Sequence, residues 1–133
     1  MVAFPRRFAL PLNSNQANST SQLFIGLMSG TSLDGIDAVL AEINPSGKAL
    51  LKQSFSLPFE KNLRQELFEL QSQTGNELHR EHLAANGLAS AYAHACHELL
   101  RIQNISHQDI LAIGAHGQTL RHQPKTNHLE SYT

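Results

Sequence analysis

Between Phe24 and Asp37 an apolar run breaks into Ser29-Gly-Thr-Ser-Leu-Asp-Gly35 and then resumes as Ile36-Asp37. The small residues let backbone N–H groups approach an anion, and nearby carboxylates can hold a divalent cation through oxygen. Gly30 and Gly35 permit positive φ and close backbone approach, and Thr31 and Ser32 offer hydroxyl and N–H donors. Asp34 or Asp37 is a possible Mg²⁺ partner. An Asx-turn is the other role open to Asp34, and Asp37 reaches a site only if strand alternation turns it from the core. Spacing alone also fits, and by itself favours, a hairpin turn with capping polar residues.

A second cluster, His116-Gly-Gln-Thr-Leu-Arg-His122, follows the apolar run Ile110–Gly114. Polar side chains and a glycine just past a strand's C-terminal end stand where open α/β sheets place ligands. Gln118 and Thr119 can hydrogen-bond ligand hydroxyls, and Arg121 suits a carboxylate or phosphate. The roles of Arg121 and His122 stay open, and a satisfied loop histidine is the alternative for His116 and His122.

Other chemistries fail on wording. Gly30 to Gly35 is followed by Ile36 rather than Lys, which excludes the G-x-x-x-x-G-K-[ST] phosphate loop. Gly26-Leu-Met-Ser-Gly30 misses the G-x-S-x-G elbow by one position, which counts against a serine hydrolase. The eight histidines invite a metal, yet the His79/His82 and His94/His97 pairs have no carboxylate or thiol in register to complete a ligand set.

Three strands are expected to position these clusters: Leu23–Met28, Ile36–Ile43 and Ala49–Leu57, with a turn at Asn44-Pro-Ser-Gly47 and a stop at Pro58. Such short connections require an antiparallel meander. Leu63, Leu67 and Leu70 form a helical stripe that Gly75-Asn76 breaks. A longer helix is expected from Glu77 to Ile102, with Leu78, Ala85, Leu88, Tyr92, Ala95 and Leu99 on one face and Gly87 weakening it slightly. Ile110–Gly114 is expected as a short strand parallel to an earlier one, and His128–Thr133 as the opening of a further strand. Residues 1–21, basic and then rich in Asn, Ser, Gln and Thr, are expected to be a disordered extension, with residues 22–133 forming the domain. Two prolines interrupt the apolar run that a secretory signal would need.

Composition narrows the classes further. A net charge of −1 and a pI near 6.7 give no electrostatic case for nucleic acid or an anionic membrane. No apolar run approaches the roughly 18 residues of a membrane span. The single cysteine, Cys96, excludes an intramolecular disulfide and fits a reducing compartment; its place on an apolar helix face suggests a buried, inert thiol.

Ser29-Gly-Thr-Ser-Leu-Asp-Gly-Ile-Asp37 and Ile113-Gly-Ala-His-Gly-Gln-Thr-Leu-Arg-His122, in this order and separation, resemble the anhydro-N-acetylmuramic acid kinases of the sugar kinase/actin/Hsp70 superfamily. The resemblance runs from about Leu23 to Thr133. It implies an α/β fold, the incomplete N-terminal half of a ribonuclease-H-like (actin-like ATPase) domain, with the first strand beside the fourth. It further implies that Gly30, Thr31, Ser32, Leu33, Asp34, Gly35, Ile36 and Asp37 bind ATP, with Mg²⁺ at Asp34. A substrate-side role falls on the turn His116, Gly117, Gln118 and Thr119. The intact enzyme is expected to open 1,6-anhydro-N-acetylmuramic acid with water and phosphorylate O6, in cytoplasmic peptidoglycan recycling, as a homodimer. The family's catalytic Asp is expected after Thr133, so none of these residues is assigned as catalytic. A non-catalytic remnant, or another sugar kinase or ATPase of the superfamily, remains the alternative.

Overall fold

The computed structural model describes residues 20–121. The expected extension, apart from Thr20 and Ser21, lies outside that range, as do His122 and the expected strand at His128–Thr133. Four strands form one mixed sheet in the order β3-β2-β1-β4: β1 is Gln22–Ser29, β2 Gly35–Ile43, β3 Ala49–Pro58 and β4 Ile110–Ala115. β1, β2 and β3 pair antiparallel and β4 pairs parallel to β1. This is the α/β arrangement that the resemblance implies.

Alternation along β1 and β2 selects the sheet face that meets the helices. Ile25, Leu27 and Ser29 are buried on β1, and Ile36, Ala38 and Leu40 on β2. Met28, from the opposite face, is 56% exposed. Among the described residues, both helices pack against this one buried face of the sheet, so the period-2 pattern decides exposure. The β2–β3 turn forms as expected. Asn44 Oδ1 accepts from Ser46 N and Lys48 N, both at 3.0 Å, and Gly47 takes the positive φ of 82° that a side chain would disfavour.

Helix α1 spans Lys61–Glu69 and α2 spans Glu77–Gln103. The stripe on α1 is buried at Leu67 and Leu70 and half-buried at Leu63. Asn104, at φ 50°, ends α2 in a left-handed cap, with Ile105 N reaching back to Leu100 O at 3.0 Å.

The packed face of α2 differs from the expected one at its N-terminal end. Leu78 is 69% exposed and Ala85 is exposed, with Ala84 buried instead; farther along, the expected Ala95 and Leu99 are buried, joined by Cys96, and Leu88 and Tyr92 are half-buried. The first turns of α2 meet α1 rather than the sheet. There Arg80 bridges Glu66 at 2.6 Å and Glu69 at 2.5 Å. A Cβ on Gly87 would come within 3.1 Å of Leu63 Cδ1, so this glycine lets the two helices approach rather than merely weakening α2. Burial pushes the Cys96 thiol up, which fits the inert role expected of it.

Candidate functional site

β1 and β4 run parallel, so their C-terminal ends emerge side by side, and His116 N continues the ladder to Leu27 O at 3.0 Å. The segments that follow them, 30–34 and 116–121, therefore meet. Ser29 Oγ donates to Gly117 O at 3.2 Å. That uses the only hydroxyl proton Ser29 has, so at the 2.8 Å contact with Tyr92 the tyrosine hydroxyl must donate. Ser29 is 3% exposed, so the arrangement satisfies a buried polar group. A second tie comes from Gln118, whose Nε2 donates to Gly30 O and to Thr119 O, both at 3.2 Å. Among the described residues its buried Oε1 has no partner.

Segment 30–34 starts as a tight turn closed by Leu33 N to Gly30 O at 3.1 Å. Gly30 and Gly35 both permit positive φ, yet neither adopts it; the left-handed residue is Leu33, at φ 57°. A bulky residue there stores strain of about 1–3 kcal/mol and persists only when its surroundings hold it. Leu33 is 2% exposed, so its side chain is anchored in the core. Gly35 serves another purpose: a Cβ there would run into the Leu57 carbonyl and lie 2.9 Å from Pro58 Cα. Close strand pairing, rather than room for an anion, demands this glycine.

The carbonyls of this segment are claimed one after another by the protein. Gly30 O accepts from Gln118, and Thr31 O from Gln71 Nε2 at 3.4 Å. Leu33 O accepts from Arg64 Nε at 2.9 Å and Asp34 O from Phe59 N at 3.3 Å. In a planar trans peptide the N–H points opposite to its carbonyl. The N–H groups of Thr31, Ser32 and Asp34 are therefore turned away from these anchors, and among the described residues they have no backbone partner. A turn followed by a left-handed residue is a geometry in which successive N–H groups make an anion-binding concavity.

Next to this segment is a cleft of about 450 Å³, lined in part by Gly30, Ser32, Asp34, Gly35, Asp37 and Ser56. Alternation on β2 does turn Asp37 away from the core, where it accepts from Ser56 Oγ at 2.6 Å. Asp34 is exposed, and among the described residues its carboxylate makes no hydrogen bond, so the Asx-turn is not formed. No three His, Cys, Asp or Glu side chains among the described residues gather into a metal site. The donors here suit an ion that keeps its waters and takes one or two carboxylates plus phosphate oxygens, the habit of Mg²⁺. Leu33 and Ile36, both within the expected ATP loop, are core residues and offer main chain only.

His116, Gly117, Gln118, Thr119 and Arg121 line a separate cleft of about 580 Å³ together with Glu77 and Glu81. Gly117 has φ 81°, which lets the chain turn there. Arg121 donates to Ser72 O at 3.0 Å and pairs with Glu77 at 2.7 Å, so its carboxylate partner lies within the chain. The Arg121 hydrogen bond, with help from Thr74 N–H, holds the Glu77 carboxyl below the usual range. Neither cleft shares a lining residue with the other; Ser29–Gly117 and Gly30–Gln118 are what connect them.

Sequence reasoning did not single out Arg64, Gln71, Glu77 or the Ser29–Tyr92 contact as parts of the site. Tyr92 carried one usable signal, since a tyrosine on a packed helix face needs a partner for its hydroxyl. Arg64 and Gln71 carried none, because they reach main-chain carbonyls 31 and 40 residues away.

Residues 22–132 match the family described as anhydro-N-acetylmuramic acid kinase. Relatives carrying that name include those of Ralstonia nicotianae, 49% identical over 88% of this chain, and Albidiferax ferrireducens, 47% identical over 85%. The relative from Bordetella pertussis is 52% identical over 77%. The chain spans 30%, 29% and 27% of the length of these three relatives.

Proposed function

The chain belongs to the anhydro-N-acetylmuramic acid kinase family, and on that premise we propose that it supplies the nucleotide-phosphate cradle of such an enzyme. The observation that carries this reading is the set of outward-facing N–H groups at Thr31, Ser32 and Asp34, with the carbonyls behind them already occupied. Phosphoryl transfer needs little covalent help from the protein; it needs an electrostatic cradle and correct placement.

The residues divide the work as follows. Thr31, Ser32 and Asp34 present main-chain donors to the ATP phosphates, and the Thr31 and Ser32 hydroxyls add to them. Asp34, with Asp37 nearby on β2, would hold Mg²⁺, which when bound neutralises charge on the phosphate oxygens. His116, Gly117, Gln118 and Thr119 form the wall toward 1,6-anhydro-N-acetylmuramic acid. The proposed overall reaction adds water across the anhydro bond and places a phosphoryl group on O6, a step in cytoplasmic peptidoglycan recycling. None of the described carboxylates is assigned as the base that activates this water.

Titrating Mg²⁺–ATP into the chain tests the cradle. Saturable binding that Gly30→Val abolishes is expected, because the valine methyls would enter the space a phosphate needs. An absence of binding, or binding that Gly30→Val leaves intact, overturns the reading. Sugar turnover is expected only from a chain of the relatives' length. Incubation of the 133-residue chain with ATP, Mg²⁺ and the anhydro sugar is expected to yield neither ADP nor sugar 6-phosphate.

A further inference from the structure

We infer that Arg64 is a positioning residue for the anion cradle: its Nε, 2.9 Å from Leu33 O, holds the strained Leu33–Asp34 peptide so that the Asp34 N–H faces the anion. The inference rests on the phosphate reading of segment 30–34 and assigns part of that segment's shape to a residue outside it.

Leu33 needs two restraints to stay left-handed. One is its side chain, buried among core residues. Burial fixes where the side chain goes, but it leaves the following peptide plane able to rotate about ψ. The Arg64 bond to the carbonyl removes that freedom. Phe59 N fixes the next peptide through Asp34 O at 3.3 Å. Residues 59 and 64, just past β3 and in α1, therefore orient two successive peptides of the loop. Arg64 is not among the residues lining the 450 Å³ cleft. It acts from behind the loop, through the main chain, and is not itself proposed as a phosphate ligand.

A bond from a charged donor to a carbonyl is stronger than one between neutral groups. Its loss should cost about tenfold in affinity for any ligand that needs the Asp34 N–H in place. Arg64→Met keeps the aliphatic stem and removes the donor; Arg64→Lys keeps the stem and a donor of poorer geometry. Lys61→Met, on the exposed face of the same helix, removes an equal charge with no contact to the loop.

The test is calorimetric titration of the full chain and these three variants with ADP–Mg²⁺ and with inorganic pyrophosphate, alongside urea unfolding and ¹⁵N–¹H spectra. Expected are about tenfold weaker binding for Arg64→Met, an intermediate loss for Arg64→Lys and less than a twofold change for Lys61→Met. Urea midpoints should match between the two Arg64 variants. Arg64→Met binding like wild type, or Lys61→Met weakening binding as much, overturns the inference. Wild-type protein that binds neither probe overturns the phosphate reading instead. The Asp34 amide resonance then still decides on Arg64: it should shift in Arg64→Met and hold in Lys61→Met, and an unmoved Asp34 amide in both refutes the positioning role.

Discussion

Replacing Gly35 with alanine should destabilise the fold, whereas the same change at Gly30 should not. Gly35 opens β2 opposite Pro58. A Cβ there meets the carbonyl of Leu57 and lies 2.9 Å from both Leu57 C and Pro58 Cα. These are main-chain atoms and cannot rotate away, so β3 must shift relative to β2. The neighbouring pair Ile36–Leu57 and the Phe59 N to Asp34 O bond would shift with it. Overpacking that forces backbone movement costs about 1–3 kcal/mol, and a clash with two successive residues belongs near the top of that range. At Gly30 the nearest atom is Ser32 Oγ at 3.4 Å, an ordinary contact, so alanine should change stability by less than about 0.5 kcal/mol. With a urea m-value of roughly 1.5 kcal/mol/M, Gly35→Ala should lower the midpoint by about 2 M and Gly30→Ala by less than about 0.3 M. Urea titration followed by circular dichroism at low micromolar protein measures both. Equal midpoints for Gly35→Ala and wild type would refute the claim that strand approach dictates this glycine.

Tyr92→Phe removes the donor to buried Ser29 and should cost about 1 kcal/mol in urea unfolding, with a shifted Gly117 resonance; an unchanged spectrum would show that the contact does not tie α2 to the loops. Leu99→Ala, at a fully buried position, should cost about 3 kcal/mol, while Leu78→Ala, at an exposed one, should fall within about 0.5 kcal/mol of wild type; similar losses at both would contradict the helix face described. In an active kinase of the relatives' length that carries this loop, Asp34→Ala should lower kcat/KM by roughly 10²-fold. Steady-state assays of ADP release check this, and wild-type kinetics would remove Asp34 from the charge-stabilising role.

Local signals in the sequence determined the elements and the family. Apolar runs bounded by turn residues placed the four strands, period-3.6 spacing placed both helices, and the turn residues Asn44 and Gly47 did what their chemistry requires. The two motifs announced the family because their wording is specific over a few consecutive residues, a scale on which sequence carries its information directly. Tertiary structure decided which residue does what within them. Nothing in Ser29-Gly-Thr-Ser-Leu-Asp-Gly35 reveals that leucine, rather than a glycine, takes the left-handed conformation; that follows from the core claiming its side chain and Arg64 claiming its carbonyl. Likewise Leu78 and Ala84 look equally apolar on the helix, and only tertiary packing leaves one exposed and buries the other. Gln118 reads as a ligand residue, and only the fold shows that its amide also braces Gly30 from 88 residues away. Hydrogen bonds to main-chain carbonyls can be made by many side chains and accepted by every residue, so they leave no pattern along the chain. Only folding, which brings α1, the α1–α2 connection and the end of β4 against one loop, selects the donors that shape the cradle.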